Sequence, residues 1–385
     1  MKAINKYNLS ELFSFDKDYY ERKIQETFPD ISKAMDKNIP IVIYGSARLG
    51  VLFKANLDRC NISIAAFADS NAKLWGKQIE GIKVISPTEL RKDYFQNPIL
   101  IASLLYETQI YDMLQAMHFP LVYPLSFLNH QYPDIFPSPE YFQTFSSLFS
   151  QDNQSDIFEV HEYWEDDQSR KTFYNLIKFR LTLHKPYIKE IKSKYPQYFD
   201  PEIIHISREE IFLDCGAYRG DTVEHFYKTA SGRFKKVYSF EPDRVNFSKL
   251  VAIAEKIDPL RIIPINCGVY ESSGAMSFNE LGTIDTRLGS GNSSVHLPVV
   301  SIDDFLKGKE PATFIKMDIE GGELSALLGT RKTIKQFKPK LAISVYHKAS
   351  DLWKIPLLIR ELNKDYQLYL RHYTNEIVDT VCYAL

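Results

Sequence analysis

Residues 211 to 222 read IFLDCGAYRGDT, a short apolar run that ends in an acid and leads into a loop with two glycines. An apolar strand, a glycine turn and a helix in this order are typical of nucleotide-binding sheets. A carboxylate at the end of the strand would repel a pyrophosphate, so Asp214 is unusual for a phosphate-binding loop. The stretch therefore predicts a site for a ligand that carries positive charge and no phosphate.

The composition is that of a soluble globular protein with two or three domains, since the 385 residues are 44% hydrophobic and 25% charged. The formal net charge is -2, and no long run of lysine or arginine occurs, which argues against a nucleic acid or an anionic membrane as partner. The sequence contains neither a signal peptide nor an apolar run of ~18 residues that could span a membrane, so we expect a cytoplasmic location. The four cysteines form no metal-like cluster and are expected to be reduced thiols.

The pattern of strands, helices and prolines predicts four segments along the chain. They are a helical leader (1–37), a small Rossmann-like domain (38–130), an aromatic-rich helical connector (131–208) and a second α/β domain (209–385).

The last segment alternates strands and helices, which predicts a parallel sheet covered on both faces. It ends differently, because YQLYLRHY and EIVDTVCYAL are two strands joined by the short turn TNE and must pair as an antiparallel hairpin. Class I methyltransferases have such a sheet, and dinucleotide dehydrogenases generally do not. The predicted fold class is therefore α/β, a class I methyltransferase Rossmann-like sheet with a C-terminal antiparallel hairpin, preceded by a second, smaller Rossmann-like domain.

A sulfonium nucleoside fits the first loop, because it has a cationic sulfur, an amine and two ribose hydroxyls but no phosphate. Asp214 would face positive charge, and Gly216 and Gly220 would allow close approach of the backbone. Glu241, at the end of the next strand in SFEPD, is positioned to accept hydrogen bonds from a ribose diol. Asn266, after IIPI, would flank the adenine.

Residues 209 to 385 resemble the FkbM-type S-adenosylmethionine-dependent methyltransferases. The resemblance is carried by LDCGAYRGDT, SFEPD, INCGVY, VVSIDDFL, IKMDIEGGE and ISVYHK followed by YLRHY. Tyr218 stands where many class I methyltransferases have a second glycine. The resemblance implies S-adenosylmethionine as cofactor and methyl transfer to oxygen, often to a hydroxyl of a sugar or a polyketide. The predicted cofactor-binding residues are Asp214, Gly216, Ala217, Gly220, Thr222, Glu241, Asn266 and Asp318.

The stretch IKMDIEGGELSALLG brings three acids, Asp318, Glu320 and Glu323, to the end of a buried strand. They can position the acceptor or cofactor, bind a divalent cation, or stabilise the N-terminus of the following helix; we assign no metal. His347 ends the next strand on the same edge, where it is either a general base or a structural histidine. The predicted catalytic residues are His347, Asp318 and Glu320.

The first domain carries the loop GSARLG, which keeps Gly45 and Gly50 but has Ala47 where a dinucleotide-binding loop has its middle glycine. Asp69 follows Gly45 by 24 residues, a spacing that suits a phosphate-bearing nucleotide. The run ADSNAKLWGKQIEGIKVISPTEL, residues 68–90, is similar to Rossmann-like modules attached to sugar-modifying enzymes of bacterial surface-glycan pathways. That similarity implies either a docking place for a nucleotide-linked sugar or a fold retained only for packing.

The sequence thus predicts an S-adenosylmethionine-dependent O-methyltransferase whose acceptor is a small molecule or glycan with a free hydroxyl. The alternative is a nucleotide-binding or nucleotide-sugar-binding regulatory protein with an inactive methyltransferase-like domain. The acids and His347 at the second sheet's edge favour the enzyme. The oligomeric state is not determined by the sequence.

Overall fold

The structure is a computed structural model that describes residues 7–36, 38–136, 145–277 and 296–385. Its chain divides into two compact units. The first unit comprises Met1–Asn153, Tyr174–Lys192 and Thr374–Ile377, and the second comprises Gln154–Phe173, Ser193–Tyr373 and Val378–Leu385. The predicted connector (131–208) is therefore shared between the units, and the four predicted segments stay a prediction.

The first unit contains a mostly parallel sheet with helices. Its strands are β1 (Ile41–Tyr44), β2 (Ile64–Ala68), β3 (Gln78–Ile79), β4 (Ile82–Ile85), β5 (Ile99–Ile101) and β6 (Val122–Tyr123). Its helices are α1 (Leu9–Leu12), α2 (Lys17–Thr27), α3 (Arg48–Arg59), α4 (Pro87–Asp93), α5 (Glu107–Ala116) and α6 (Leu125–Gln131). The strand order is β3-β4-β2-β1-β5-β6, in which only β3 runs antiparallel to its neighbour.

The central strand of this sheet is apolar because it is covered on both sides. All four residues of β1 are buried, and two of them, Val42 and Tyr44, pack with residues of β2 and β5 in one core cluster. The Rossmann-like fold predicted for this part of the chain is thus confirmed.

Three helices follow the first sheet in the chain. They are α7 (Gln151–His161), α8 (Asp167–Thr182) and α9 (Pro186–Lys189). None of the described helices is both long and apolar enough to cross a lipid bilayer.

The second unit contains a larger sheet and a small three-stranded one. Its strands are β7 (Ile211–Cys215), β8 (Lys236–Phe240), β9 (Ile262–Ile265), β10 (Gly268–Val269), β11 (Gly274–Ser277), β12 (His296–Val300), β13 (Phe314–Met317), β14 (Lys340–Ser344), β15 (Leu368–His372) and β16 (Thr380–Ala384). Its helices are α10 (Asp221–Thr229), α11 (Arg244–Ile257), α12 (Ile302–Phe305), α13 (Glu323–Leu328), α14 (Arg331–Phe337) and α15 (Asp351–Leu362).

The larger sheet has the order β15-β16-β14-β13-β7-β8-β9. The five strands from β14 to β9 are parallel, and β16 pairs antiparallel with both β14 and β15. The C-terminal hairpin predicted from the sequence is therefore confirmed. Its connection is longer than the predicted turn, since residues 373–379 separate the two strands.

Two features of the second unit differ from the sequence-based expectation. The alternating pattern predicts one helix between β13 and β14, but the structure has α13 and α14 with a break at Gly329. A Cβ on Gly329 would lie 2.2 Å from the carbonyl oxygen of Tyr270, so the chain turns where this backbone approaches. The second feature is the three-stranded sheet β10-β12-β11, which the alternating pattern did not indicate.

The loops after β7 and β13 touch, because the two strands are neighbours and end at the same edge. A Cβ on Gly216 would lie 1.8 Å from the carbonyl oxygen of Asp318, and Gly216 has a φ of 81°. Only glycine satisfies both demands at this position. The two loops on which the predicted site depends are therefore packed backbone against backbone.

We predict that Gly216→Ala disrupts the second unit far more than an alanine at an open glycine does. Gly308 is the matched control, because it has a φ of 73° and nothing within 4 Å of a built Cβ. Gly308→Ala should cost only the ~1–2 kcal/mol of a left-handed non-glycine residue, whereas Gly216→Ala adds a clash with backbone. Urea unfolding of both variants measures the difference, and equal losses would contradict the close approach.

Candidate active site

The glycine loop after β7 is held by backbone hydrogen bonds to the neighbouring strand. The amides of Gly216 and Ala217 both donate to the carbonyl of Phe240, at 3.0 and 2.9 Å. Gly220, with a φ of 92°, precedes the first residue of α10, and Thr222 lies buried in that helix. Gly216, Ala217 and Gly220 thus form the turn at the edge of the sheet, and Thr222 lies in the first turn of the helix that follows.

Glu241 follows β8 and fastens the same loop through its side chain. One carboxylate oxygen accepts from the amide of Tyr218 and the other from the amide of Asp243, both at 2.8 Å. Burial raises the pKa of Glu241 to about 7. Asn266 donates its side-chain amide to the carbonyls of Glu241 (2.8 Å) and Pro242 (3.2 Å), so it positions this strand end. Its predicted contact with adenine stays a prediction.

Asp214 is fully buried and forms an ion pair that the sequence reading missed. Lys316 on β13 pairs in register with Asp214 on β7, and its ammonium lies 3.1 Å from the carboxylate. The ammonium also donates to the carbonyl of Gly216 at 2.6 Å. Although burial lowers it, the nearby carboxylates of Asp214 and Asp318 hold the pKa of Lys316 above its usual value.

This ion pair corrects the electrostatic reasoning from the sequence. Asp214 was expected to present a free carboxylate to a cationic ligand, but Lys316 compensates its charge. A direct contact of Asp214 with a cofactor stays a prediction. The available signal was the lysine in the middle of the otherwise apolar FIKM strand.

Asp318, directly after β13, is held in place by three neighbours. Tyr198 donates its hydroxyl to one carboxylate oxygen at 2.7 Å, and Tyr346 donates to the other at 3.2 Å. The Nε2 atom of His347 lies 3.3 Å from the second oxygen. Although burial raises it, His347 and Lys316 hold the pKa of Asp318 below its usual value.

Tyr198 was not foreseen, because it lies in the predicted connector, well before the strand that it serves. Its ring also lies 5.2 Å from the ammonium of Lys316. The backbone amide of Tyr198 donates to the hydroxyl of Tyr383 at 2.9 Å, which fixes a residue with a φ of 67°. No pattern in the surrounding SKYPQYFD indicates this role.

His347 is buried, with acids on both sides of its ring. Nδ1 lies 3.0 Å from Glu323, and Nε2 lies 3.6 Å from Glu320 in addition to its contact with Asp318. Although burial favours the neutral ring, these three acids raise the pKa of His347 to about 10. A pKa of this size favours the imidazolium at neutral pH, and the assignment of His347 as a general base stays a prediction.

The alternatives for the acids after β13 can now be compared. Glu323 is the first residue of α13 and accepts from the amide of Ile319 at 2.8 Å, so it holds the turn that leads into the helix. Single ligand atoms of Asp318, Glu323 and His347 lie within 4.8 Å of one another, a spacing that could hold a metal ion. A charged His347 ring would also balance these acids, and the assignment of no metal stays a prediction.

The three hairpin residues at positions 371 to 373 each have a partner within the fold. Arg371 is buried and pairs with Asp166 at 2.6 Å and Asp200 at 3.5 Å. His372 is hydrogen-bonded to Thr380 across the hairpin. The hydroxyl groups of Tyr373 and Tyr383 form a hydrogen bond with each other.

Family models match both parts of the chain. A model described as Methyltransferase FkbM domain matches residues 214–377. These residues form an FkbM methyltransferase domain. A second model, described as C2185-like, N-terminal, matches residues 36–120. The resemblance predicted for residues 209 to 385 is thereby confirmed.

Solved structures support the fold of the FkbM domain and of the unit before it. The crystal structure of methyltransferase FkbM from Methylobacillus flagellatus KT matches with a TM-score of 0.76 and 24% identity, over 96% of this chain and 98% of that chain. At this identity the likeness shows a shared fold, and it confirms the predicted fold class. No curated protein matches the chain.

Two further structures are similar only at low TM-scores. An rRNA methylase from Streptococcus thermophilus has a TM-score of 0.30 and 17% identity, over 46% of this chain and 87% of that one. Fibrillarin from Aeropyrum pernix, in complex with natively bound S-adenosyl-L-methionine, has a TM-score of 0.31 and 12% identity, over 48% of this chain and 70% of that one.

We predict that Lys316→Met destabilises the FkbM domain by about 3–5 kcal/mol, because it leaves Asp214 buried without its counter-charge. The double variant with Asp214→Asn should regain part of that loss. Lys307, which pairs with Asp304 on the surface, is the matched control, and Lys307→Met should leave stability nearly unchanged. Urea unfolding measures all three, and a loss for Lys316→Met no larger than the control would contradict the buried pair.

We predict that His347 stays protonated across neutral pH and titrates near pH 10. Because its pKa is raised on folding, the stabilisation is fully present below about pH 6.5 and is lost as the pH rises to about 10. NMR of the imidazole carbon-bound protons, assigned with His347→Gln, measures the midpoint. A midpoint near 6.5 would show that the acids do not hold the proton.

Proposed function

We propose that this protein is an S-adenosylmethionine-dependent O-methyltransferase that acts on a hydroxyl of a sugar in a glycan or secondary metabolite. One observation carries the proposal: the ends of three adjacent strands bring together the glycine loop, Glu241 and Asp318 at one edge of the sheet. Ligands of open parallel sheets bind at this edge. The FkbM family match supports the same reaction class.

The residues present fit a phosphate-free nucleoside. Glu241 offers carboxylate oxygens at the position from which an acid typically binds a ribose diol. The ammonium of Lys316 is already engaged by Asp214 and the carbonyl of Gly216, so it is not offered to a phosphate. A site with fixed acids and an engaged lysine suits a cationic ligand better than a dinucleotide.

S-adenosylmethionine, when bound, supplies a methyl group on a cationic sulfur. The task of the protein is then to hold an acceptor hydroxyl in line with that methyl group, and alignment alone can supply much of the rate acceleration. Asp318 is suited to this task, because Tyr198 and Tyr346 fix both of its oxygens. Its lowered pKa makes it a hydrogen-bond acceptor for the hydroxyl rather than a strong base.

The proton of the acceptor needs a separate destination. As the oxygen gains the methyl group, its proton passes to a carboxylate, for which we propose Glu320, whose side chain is partly exposed. The acids around His347 favour its protonated form, so we do not assign this proton to the ring. We propose that His347 instead holds Asp318 and Glu320 in place through its positive charge.

Calorimetry with S-adenosylhomocysteine tests the cofactor assignment on the full chain. We expect one bound molecule per chain, and at least tenfold weaker binding by Glu241→Gln, because the substitution removes a carboxylate hydrogen bond to the ribose. Glu310→Gln is the control, since Glu310 is an exposed acid paired with Lys235 outside the site. No heat with the intact protein, together with no methyl transfer, would favour the binding-protein alternative.

Transfer of radiolabelled methyl groups to a panel of sugars and glycan extracts tests the chemistry. We predict that Glu320→Gln lowers kcat by about 10²-fold with little change in cofactor affinity, as expected for loss of a proton acceptor. Full activity in Glu320→Gln would exclude it as the base. His347→Gln should reduce kcat without flattening the dependence of rate on pH between 6 and 8.

A further inference from the structure

The first unit contains a cavity of about 490 Å³ that the proposed methyl transfer does not use. It lies at the carboxyl ends of β1, β2 and β5. Its lining includes Tyr44, Ser46, Asp69, Ser70, Tyr106 and Gln109. The volume is in the range of pockets that hold small ligands.

The cavity lies at the switch point of the first sheet. Strand β1 has β2 on one side and β5 on the other, so the connections from β1 and from β4 leave in opposite directions. Open parallel sheets bind their ligands in the crevice at this point. The topology therefore makes this cavity the expected binding place of the unit.

An acid fastens the loop of the first sheet as Glu241 fastens the loop of the second. Asp69, after β2, accepts from the backbone amide of Ser46 at 3.0 Å, just as Glu241 accepts from the amide of Tyr218 at 2.8 Å. Both pairs are separated by 23 residues. An acid in this position is the usual partner of a ribose diol, whichever ligand the second sheet binds.

Asp69 can still receive a ribose. Its carboxylate accepts from the amide and hydroxyl of Ser46 and from the amide of Asn71, which uses three of about four acceptor positions. The hydroxyl of Ser46 is a replaceable partner, because a ribose hydroxyl can donate in its place. Asp69 lines the cavity and is only half-buried, so a ligand in the cavity can reach its carboxylate.

The rest of the lining suits a nucleoside. Tyr106 is 61% exposed and offers an aromatic face at the mouth of the cavity. Ile110 and Met113 add apolar surface, and Gln109 adds an amide. The lining contains no lysine or arginine, so we expect hydrogen bonds and aromatic stacking, rather than positive charge, to bind the ligand.

We propose that this cavity binds a ribonucleotide, with its ribose diol on Asp69 and its base against Tyr106. The ribonucleotide is either free or linked to a sugar. Helix α3 begins after Ala47, which provides no side-chain cap, so the first-turn amides are available to a 5′-phosphate. The site is separate from the FkbM domain, because all of its lining belongs to the first unit.

Calorimetry of the full chain with AMP, UMP, UDP-glucose and the 2′,3′-dideoxy forms of both monophosphates tests the proposal. We expect at least one ribonucleotide to bind one per chain, and its dideoxy form to bind at least tenfold more weakly. Tyr106→Ala should weaken binding at least fivefold. Leu105→Ala is the matched control, because Leu105 is also exposed but does not line the cavity, and it should bind as the unaltered protein does.

The measured affinities distinguish a sugar-linked nucleotide from a free one, and two results would overturn the proposal. Tighter binding of UDP-glucose than of UMP supports a sugar-linked nucleotide, and equal binding supports a free one. The proposal is overturned if none of the three ribonucleotides binds. It is also overturned if binding is unchanged in Tyr106→Ala, since the ligand would then occupy another site.

Discussion

The buried ammonium of Lys316 is the constraint on which the rest of the FkbM domain's site depends. A charge in the interior is tolerated only when it is paired and hydrogen-bonded. Lys316 meets that demand with the carboxylate of Asp214 and the carbonyl of Gly216. Moving the glycine loop would leave the ammonium partly unsatisfied, so the requirement for compensation fixes the loop. The strand that carries Lys316 ends one residue before Asp318, which links the loop to the acids on the other side of the site.

A second buried cation organises those acids. His347 lies among Asp318, Glu320 and Glu323, and each acid favours the charged ring. Tyr198 connects the two charged groups, because its ring lies against Lys316 and its hydroxyl binds Asp318. The site is therefore assembled in advance by two cations. Such preorganisation is what a reaction driven by alignment needs.

The sequence predicted the features that depend on local order along the chain. The strand-end positions of Asp214, Glu241 and Asp318 follow from apolar runs that stop at an acid, and the hairpin follows from two strands without a helix between them. The features that the sequence did not predict depend on residues that are far apart along the chain. The pKa of His347 is one, because it rises from its ordinary value of 6.5 only after folding gathers three acids around the ring. The role of Tyr198 is another, since it lies 120 residues before Asp318.

The central claim is that the edge beside Glu241 binds a phosphate-free adenosine compound, and a crystal structure of the full chain grown with S-adenosylhomocysteine tests it most directly. We expect electron density for the ligand above the loop at 216–220, with both ribose hydroxyls within hydrogen-bonding distance of the Glu241 carboxylate. A ligand whose ribose lies elsewhere, or crystals in which NAD fills this edge while S-adenosylhomocysteine does not, would contradict the claim.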